Sequence, residues 1–142
     1  SAASDVYKRQ EYTLSTAFDV STASFVDSFD ISSQELGPRD VAFSNDGLKM
    51  FVVGVRGDDV NEYTLSTAFD VSTASFVDSF DISSQEDSPT GLAFNNDGTK
   101  MFVAGNAGDD INEYTLSTGF DVSTASFVDS FSVASQDTTL MD

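Results

Sequence analysis

The sequence repeats itself with a period of 51 residues, and this repeat limits the possible folds more than any other feature. Residues 11–35 and 62–86 are the same string, EYTLSTAFDVSTASFVDSFDISSQE, and residues 113–137 repeat it with five changes. A fixed period of this length is typical of proteins that stack similar units, because one short unit cannot bury its apolar faces alone. We therefore expect consecutive units to pack face to face.

The composition excludes several classes of function. The 142 residues are enough for one domain, and they contain 24 Asp and Glu against 6 Lys and Arg, a net charge of −18. Cysteine and histidine are both absent, which excludes disulfides, Cys/His zinc sites and catalysis by a histidine or cysteine. The acidic balance argues against nucleic acid and anionic membranes as partners, and no apolar run reaches the roughly 18 residues of a membrane span.

The repeat breaks at both ends of the chain. By the 51-residue period, residues 1–10 should match 52–61, VVGVRGDDVN, but they are SAASDVYKRQ. After Gln136 the chain continues DTTLMD instead of the PTGLAF-type segment that the pattern predicts. The ten-residue start resembles adapter-derived translations at the edges of metagenomic reads, which predicts a fragment of a longer repetitive protein. A natural N-terminal arm is the alternative for residues 1–10, and residues 137–142 form a tail.

Each unit is predicted to contain four strands and no helix. Ser, Thr, Val, Phe and Asp dominate, and they are poor helix formers. An Asp-Gly pair at 46–47 between two apolar runs is a strong hairpin signal, because both residues tolerate positive φ. In the unit that begins at residue 35, the predicted strands are 40–44, 49–53, 60–65 and 75–82.

The pattern of side chains predicts how each strand is buried. Strand 49–53 is apolar on both faces, which suits a strand between two neighbouring sheets. Strand 60–65 alternates imperfectly, so one of its faces is expected to be only partly buried. Strand 75–82 places Phe76 and Phe80 on one face and suits the outer edge of a sheet. Phe69, in the connection before it, is expected to plug the space under that connection.

Two segments carry a family resemblance. VAFSNDGLKMFVVG (41–54) and LAFNNDGTKMFVAG (92–105) resemble the blade core of WD40-like, TolB-like and YncE/lactonase-like β-propellers. The whole unit resembles repeats of marine bacterial and phage-encoded proteins. The resemblance implies an all-β fold of four-stranded antiparallel blades. The Trp-Asp pair of true WD40 repeats and the Asp-box of sialidase-type propellers are both absent.

The blade assignment leaves an incomplete ring. Residues 11–34 supply a half blade of third and fourth strands, and residues 35–85 and 86–136 supply one blade each. Closed propellers have about 4–8 blades, so both ends should expose apolar blade faces. We favour truncation of a larger propeller, with the remaining blades of a longer chain as the partner. Self-association through the open blade faces is the alternative.

The acidic turns are the candidate metal site. Gly57 and Gly108 each precede an Asp pair, and carboxylates suit hard cations such as Ca²⁺. The candidate ligands are Asp58, Asp59, Asp109 and Asp110. The alternative is turn chemistry, because Asp and Gly are common turn residues in any case. No other cofactor is expected.

A second set of candidates lies where propellers bind ligands. Strand ends near the central channel and the variable turn on the rim differ between the two otherwise similar copies, and such loops often carry recognition. Neutral drift is the alternative explanation of the differences. The candidate ligand-binding residues are Arg39, Asp40, Arg56, Thr90, Asn95 and Asn106.

These observations favour a non-enzymatic module. The expected function is binding or scaffolding on an extracellular or virion surface, with a protein or a glycan as partner and no catalytic residue. One alternative is a fragment of a lactonase-like or metal-dependent propeller hydrolase whose active-site blades lie elsewhere. Another is a purely structural repeat. The sequences of further blades in the reading frame would discriminate between these functions. Divergent Glu, Asn or His at channel positions would favour the enzyme, and further near-copies would favour scaffolding or adhesion.

Overall fold

The computed structural model describes residues 7–136 and contains ten strands and three short 3₁₀ turns in that range. The prediction of an all-β chain is confirmed. The strands are β1 Lys8–Leu14, β2 Ala23–Asp30, β3 Pro38–Phe43, β4 Lys49–Gly54, β5 Asp59–Leu65, β6 Ala74–Asp81, β7 Pro89–Phe94, β8 Lys100–Gly105, β9 Asp110–Leu116 and β10 Ala125–Ser132. The 3₁₀ turns are Val20–Thr22, Val71–Thr73 and Val122–Thr124.

The strands form three antiparallel sheets that follow one another along the chain. β1 and β2 form the half sheet, β3 to β6 form the first full sheet, and β7 to β10 form the second full sheet. Strand order within each full sheet follows the sequence, as the four-strand unit predicts. The predicted arm at 1–10 overlaps this architecture, because β1 begins at Lys8. Residues 1–6 and the predicted tail, 137–142, lie outside the described residues.

The first hairpin of each full sheet forms at the predicted Asp-Gly pair. Gly47 and Gly98 both have a φ of +72°, which L side chains rarely adopt. The Asp46 carboxylate accepts hydrogen bonds from the Ser44 hydroxyl at 2.7 Å and from the Leu48 peptide N–H at 3.0 Å. The carboxylate therefore orders the turn that the glycine permits.

Two apolar clusters lie between the sheets, and together they form the core. Between the half sheet and the first full sheet, Ile31 packs with Met50, Val52 and Tyr63. Between the two full sheets, Phe51 and Val53 pack with Val103 and Tyr114. Strand β4 thus buries alternate side chains in both clusters, which confirms the prediction of a strand covered on both faces. Every buried Ile, Leu, Val, Met, Phe and Tyr side chain of residues 7–136 belongs to one of these two clusters.

Strand β5 is buried more completely than the sequence indicates. One of its faces was expected to be only partly buried, and Thr64 is exposed as that predicts, yet Asn61 and Glu62 are each only 1% exposed. Their polar groups have partners: the Asn61 side-chain amide donates to Asp59 Oδ1 at 2.8 Å, and Glu62 bonds to Lys49 at 2.8 Å. A polar side chain can occupy a buried face when every hydrogen bond is satisfied, and the alternation pattern does not reveal this.

The prediction that Phe76 and Phe80 share one face of the outer strand is wrong. Phe76 pairs with Tyr63 but Asp78 pairs with Glu62, so Val77 is an extra residue in a β-bulge. Phe76 therefore packs edge-to-face on Tyr63 of its own sheet, and Phe80 packs on Tyr114 of the next sheet. A bulge shifts the register by one residue, which moves every later side chain to the opposite face.

The plug predicted at Phe69 is present. Phe69 has a φ of +59°, and its ring covers Gly47 so closely that a Cβ on that glycine would overlap it. Phe120 covers Gly98 in the same way. Phe18, the third equivalent, has no hairpin beneath it among residues 7–136 and is fully exposed. In the described part of the chain, no helix has the length and apolar character needed to cross a membrane.

Candidate functional site

Three of the predicted ligand-binding residues line one depression. The depression has a volume of about 240 Å³ and lies where the starts of β3 and β7 meet the turns that follow β4 and β8. Its lining residues are Arg39, Val55, Ser88, Thr90 and Asn106. The structure therefore brings Arg39, Thr90 and Asn106 together across the boundary between the two full sheets. We refer to these five residues as the rim depression.

Every lining position of the rim depression differs between the two copies of the repeat. Arg39 corresponds to Thr90, and Val55 corresponds to Asn106. Ser88 corresponds to Gly37. Buried positions are partly uniform: Met50 matches Met101 and Tyr63 matches Tyr114, whereas Val53 corresponds to Ala104 and Val60 to Ile111. Three of the position pairs at which the copies differ thus lie around one surface concavity at this end of the sheets.

The rim depression presents polar groups on a partly apolar floor. The Arg39 and Asn106 side chains are exposed, and the Thr90 hydroxyl lies 3.4 Å from the Ala104 carbonyl oxygen, to which it donates. Val55 supplies methyl groups. The fourth predicted residue of this end, Arg56, is exposed on the same turn as Val55 and does not line the depression. The site can offer a guanidinium, an amide and hydroxyls to a polar partner.

The other two predicted ligand residues make structural hydrogen bonds. Asp40 accepts from its neighbour Val41 through one oxygen and from the Leu92 peptide N–H at 2.9 Å through the other. This second bond joins β3 and β7, the first strands of the two full sheets. Asn95 lies at the far end of β7 from Thr90, where its side chain accepts from the Lys100 peptide N–H and donates to Thr99. The structure does not bring Asn95 to the rim depression.

Two buried carboxylates beside the rim turns are not predicted by any local pattern in the sequence. Glu35 is 1% exposed and accepts hydrogen bonds from the peptide N–H groups of Gly37, Arg56 and Gly57. Glu86, also 1% exposed, accepts from the peptide N–H groups of Ser88 and Ala107. These carboxylates hold the turns that carry Val55 and Asn106.

Glycine makes room for these carboxylates. A Cβ on Gly54 would overlap the carboxyl group of Glu35, and one on Gly105 would overlap that of Glu86. The recurrence of Glu and Gly at matched places in both copies was the available signal. It points to a close contact only after the strands have been paired, because the two residues are distant along the chain.

The acidic turns carry carboxylates with altered proton affinity. Burial raises the pKa of Asp59 to about 6, with smaller contributions from the charges of Glu35, Asp81 and Asp58 and an opposing hydrogen bond from Asn61. Burial also raises the pKa of Asp58, together with the charges of Asp87, Glu35 and Asp81. Among residues 7–136, no three His, Cys, Asp or Glu side chains lie close enough together to hold a metal ion. The calcium site at Asp58, Asp59, Asp109 and Asp110 stays a prediction.

A second polar cluster joins the two full sheets, and we call it the clamp. Lys49 Nζ forms an ion pair with Glu62 Oε1 at 2.8 Å and donates to the Phe120 carbonyl oxygen at 2.7 Å. Glu62 Oε2 accepts from the Val122 peptide N–H at 2.9 Å. The clamp therefore binds backbone groups at the 3₁₀ turn of the next sheet. The contact does not depend on which side chains that turn carries.

Comparison with known proteins gives fold similarity and no family. No family model matches the sequence, and no curated protein matches it. Among solved structures, the periplasmic gluconolactonase PpgL of Pseudomonas aeruginosa matches 89% of this chain and 33% of its own, with a TM-score of 0.57 and 11% identity. KlAtg21, solved in complex with the coiled coil of AgAtg16, matches 80% of this chain and 35% of its own, with a TM-score of 0.47 and 18% identity.

The match to the gluconolactonase structure and the sheet topology decide the fold. The chain is built of β-propeller blades. Its two-, four- and four-stranded antiparallel sheets repeat with the 51-residue period and correspond to part of a propeller ring. The chain spans about a third of the length of the solved chains it matches. The likeness to the gluconolactonase shows the fold alone, since the identity is 11%.

Proposed function

We propose that this chain is a non-enzymatic propeller module that binds a polar partner, a glycan or a protein loop, at an extracellular or virion surface. The observation that carries the proposal is the rim depression, where all five lining residues occupy positions that differ between the copies. A repeat whose only role was to stack would not need a surface depression lined by residues that differ between its copies. Binding surfaces of repeat proteins are commonly built from variable positions on a uniform scaffold.

The chemistry of the depression indicates the class of partner. It offers donors from Arg39 and Asn106 and hydroxyls from Ser88 and Thr90, beside the methyl groups of Val55. The net charge of −18 repels polyanions at long range, while the Arg39 guanidinium can bind a single carboxylate at close range. A partner with hydroxyls and one acidic group, such as a uronate-bearing glycan or an acidic loop, fits both conditions.

The copies themselves supply the variants that test this proposal. Arg39→Thr and Asn106→Val each introduce the residue that the other copy carries at the equivalent position, so the fold should tolerate them. Leu48→Thr is the matched control, because it makes the same kind of exchange at an exposed position outside the depression. Probes are neutral and uronate- or sialate-bearing oligosaccharides, and loop peptides selected from a display library, with affinity measured by calorimetry.

We expect at least one probe class to bind and Arg39→Thr to weaken it about tenfold, the value of roughly one charge-assisted hydrogen bond. Leu48→Thr should bind like the unchanged chain. Failure of every probe to bind would contradict the proposal. So would binding that both rim variants leave unchanged.

The hydrolase alternative stays a prediction. It requires channel residues from several different blades, and the gluconolactonase likeness covers 33% of that chain. An assay of this chain with simple lactones, with and without Ca²⁺, tests only the activity that these blades could carry by themselves, because the active-site blades are expected elsewhere. Turnover that Asp59→Asn removes would favour the hydrolase over the binding module.

A further inference from the structure

The two internal blade interfaces use the same backbone-directed contact. Glu11 in the half sheet accepts a hydrogen bond from the Val71 peptide N–H at 3.0 Å, and Glu62 accepts from the Val122 peptide N–H at 2.9 Å. In both cases a glutamate on the third strand of one unit binds the 3₁₀ turn of the next. The contact is therefore a general property of the repeat.

Aromatic side chains complete the outer part of each interface. Phe29 packs edge-to-face on Tyr63 with ring centroids 5.7 Å apart, and Phe80 packs on Tyr114 at 5.6 Å. Between the two full sheets, Phe51 also stacks on Phe120 at 6.1 Å. Aromatic pairs of this geometry add stability beyond the area that they bury.

The outer face of the second full sheet carries the same groups without a partner sheet among the described residues. Lys100 Nζ pairs with Glu113 Oε1 at 2.7 Å, as Lys49 pairs with Glu62. Glu113 Oε2 accepts no hydrogen bond from residues 7–136. Phe131 is 70% exposed, although its equivalent, Phe80, is half-buried against the next sheet. The outer face of the second full sheet therefore carries the ion pair of a second clamp, Lys100 with Glu113, and an exposed aromatic side chain, Phe131.

The opposite end of the molecule presents the complementary half of the contact. The turn after β1 has the same internal hydrogen bonds as the turn at 121–124: Asp19 accepts from Ser21, and Thr22 donates to the Asp19 carbonyl oxygen. Phe18 is fully exposed, Val20 is 82% exposed, and Tyr12 is 49% exposed. The Val20 peptide N–H donates to no acceptor among the described residues.

We propose that copies of this chain associate head to tail, with the Lys100–Glu113 clamp of one copy bound to the Phe18–Val20 turn of another. Glu113 accepts from the Val20 peptide N–H of the second copy, and Lys100 donates to its Phe18 carbonyl oxygen. Phe131 packs on its Tyr12. Each contact repeats one that the chain already makes internally between the two full sheets. Glu113, Lys100 and Phe131 are one repeat after the internal residues, and the residues of the second copy are two repeats before them.

The contact joins two different surfaces, so a pair of copies still presents one unused clamp and one unused turn and can bind further copies. It uses the outer two strands of a blade, because the half sheet has only β1 and β2. The inner-strand contact that β3 and β7 make between the full sheets is missing, and the association is therefore weaker than the internal interfaces. This surface is separate from the rim depression, so failure of either proposal leaves the other standing.

Two variants of this 142-residue chain each remove one side of the contact. Glu113→Ala removes the acceptor. Val20→Pro removes the N–H donor and suits the backbone, because Asp19 before it is extended, with φ −103° and ψ 99°, and proline is favoured at the first position of such a turn. Asp87→Asn, an exposed charge in the turn before β7, is the control for the change in net charge. Thermal melts establish that each variant folds.

Sedimentation velocity over a roughly hundred-fold range of concentration measures the association. We expect the unchanged chain and Asp87→Asn to form concentration-dependent species larger than a dimer. Glu113→Ala and Val20→Pro should each associate at least about tenfold more weakly, since a charge-assisted hydrogen bond is lost. An equimolar mixture of these two variants should form a dimer and nothing larger, because one clamp and one turn remain intact.

Several results would overturn the proposal. An unchanged chain that is monomeric at all concentrations would do so, as would variants that associate like the unchanged chain. If Asp87→Asn also abolished association, the effect of Glu113→Ala would be due to the change in net charge and not to loss of the clamp. A mixture that stays monomeric, although each variant is folded, would show that the clamp and the turn do not meet.

Discussion

At the scale of single residues, buried glutamates and glycines work as pairs. Glu35 accepts three peptide N–H groups of its own blade, and Gly54 leaves the space that its carboxyl group fills. A buried carboxylate is tolerable when several donors satisfy it, which compensates for the loss of water. The pair fixes the turn that bears Val55, so its integrity determines the shape of the rim depression.

Gly54→Ala is expected to destabilise the protein by about 2 kcal/mol, since the new methyl group overlaps the Glu35 carboxyl group in a packed site. The free energy of unfolding from urea titration measures the effect. In a background that carries Glu35→Ala, the same substitution should cost much less, because the colliding group is gone. Equal costs in both backgrounds would contradict the collision.

Asp59 should make stability depend on pH. Its pKa is raised to about 6 from an ordinary value of 3.8 because of burial, so the folded state holds the proton more tightly than the unfolded state. This contribution is fully present below about pH 4 and is lost as pH rises through 6. Asp59→Asn should remove that loss and stabilise the protein at pH 7 by about 1 kcal/mol, after allowance for screening of a half-buried group.

Urea titrations at several pH values between 3 and 8 compare the unchanged chain with Asp59→Asn. Asp87→Asn is the control for the change in net charge, because Asp87 is exposed. If the difference between the unchanged chain and Asp59→Asn did not vary between pH 4 and 7, the shifted pKa of Asp59 would be refuted.

At the scale of strands and turns, polar contacts decide how one sheet meets the next. The clamp places an ion pair on the face of β4 and β5 and directs it at the backbone of the following 3₁₀ turn. Since the Glu62 side chain is 2% exposed, removal of its partner leaves a buried charge uncompensated. The equivalent ion pair, Lys100 with Glu113, is more exposed, so water can solvate Glu113 when Lys100 is removed.

Lys49→Met is therefore expected to destabilise the protein by about 2 kcal/mol, and Lys100→Met by less than about 0.5 kcal/mol. The two substitutions remove the same group at equivalent strand positions, so each controls for the other. Chemical denaturation of both variants at low protein concentration measures the difference. Equal effects would show that the internal clamp contributes no more than a surface ion pair.

At the scale of the whole molecule, the net charge of −18 opposes compaction. Added salt screens this repulsion, so the melting temperature should rise with NaCl concentration. Differential scanning calorimetry in NaCl, with Mg²⁺ and Ca²⁺ at matched ionic strength, separates screening from specific binding. A further increase with Ca²⁺ alone, lost in a variant with Asp58→Asn and Asp59→Asn, would support the calcium prediction; identical curves would contradict it.

Local patterns were sufficient to predict the strands and the turns. The Asp-Gly hairpins, the doubly buried strand at 49–53 and the four-strand unit follow from residues that are neighbours in the chain, and all three are present. The 51-residue period also predicted that units stack, because no single unit has two covered faces. Arg39, Thr90 and Asn106 were selected because the copies differ there.

Pairing between strands decided the features that local patterns did not predict: the bulge, the buried carboxylates and the rim depression. The bulge at Val77 places Phe76 and Phe80 on opposite faces of β6. It arises from the way β6 pairs with β5, and the alternation of residues 75–82 carries no information about that pairing. The burial of Glu35 depends on Gly54, and that of Glu62 on Lys49 and the Val122 backbone. Sequence fixes which side chains are available in each unit, whereas the contacts between strands and blades determine which charges can be buried and which positions meet in one depression.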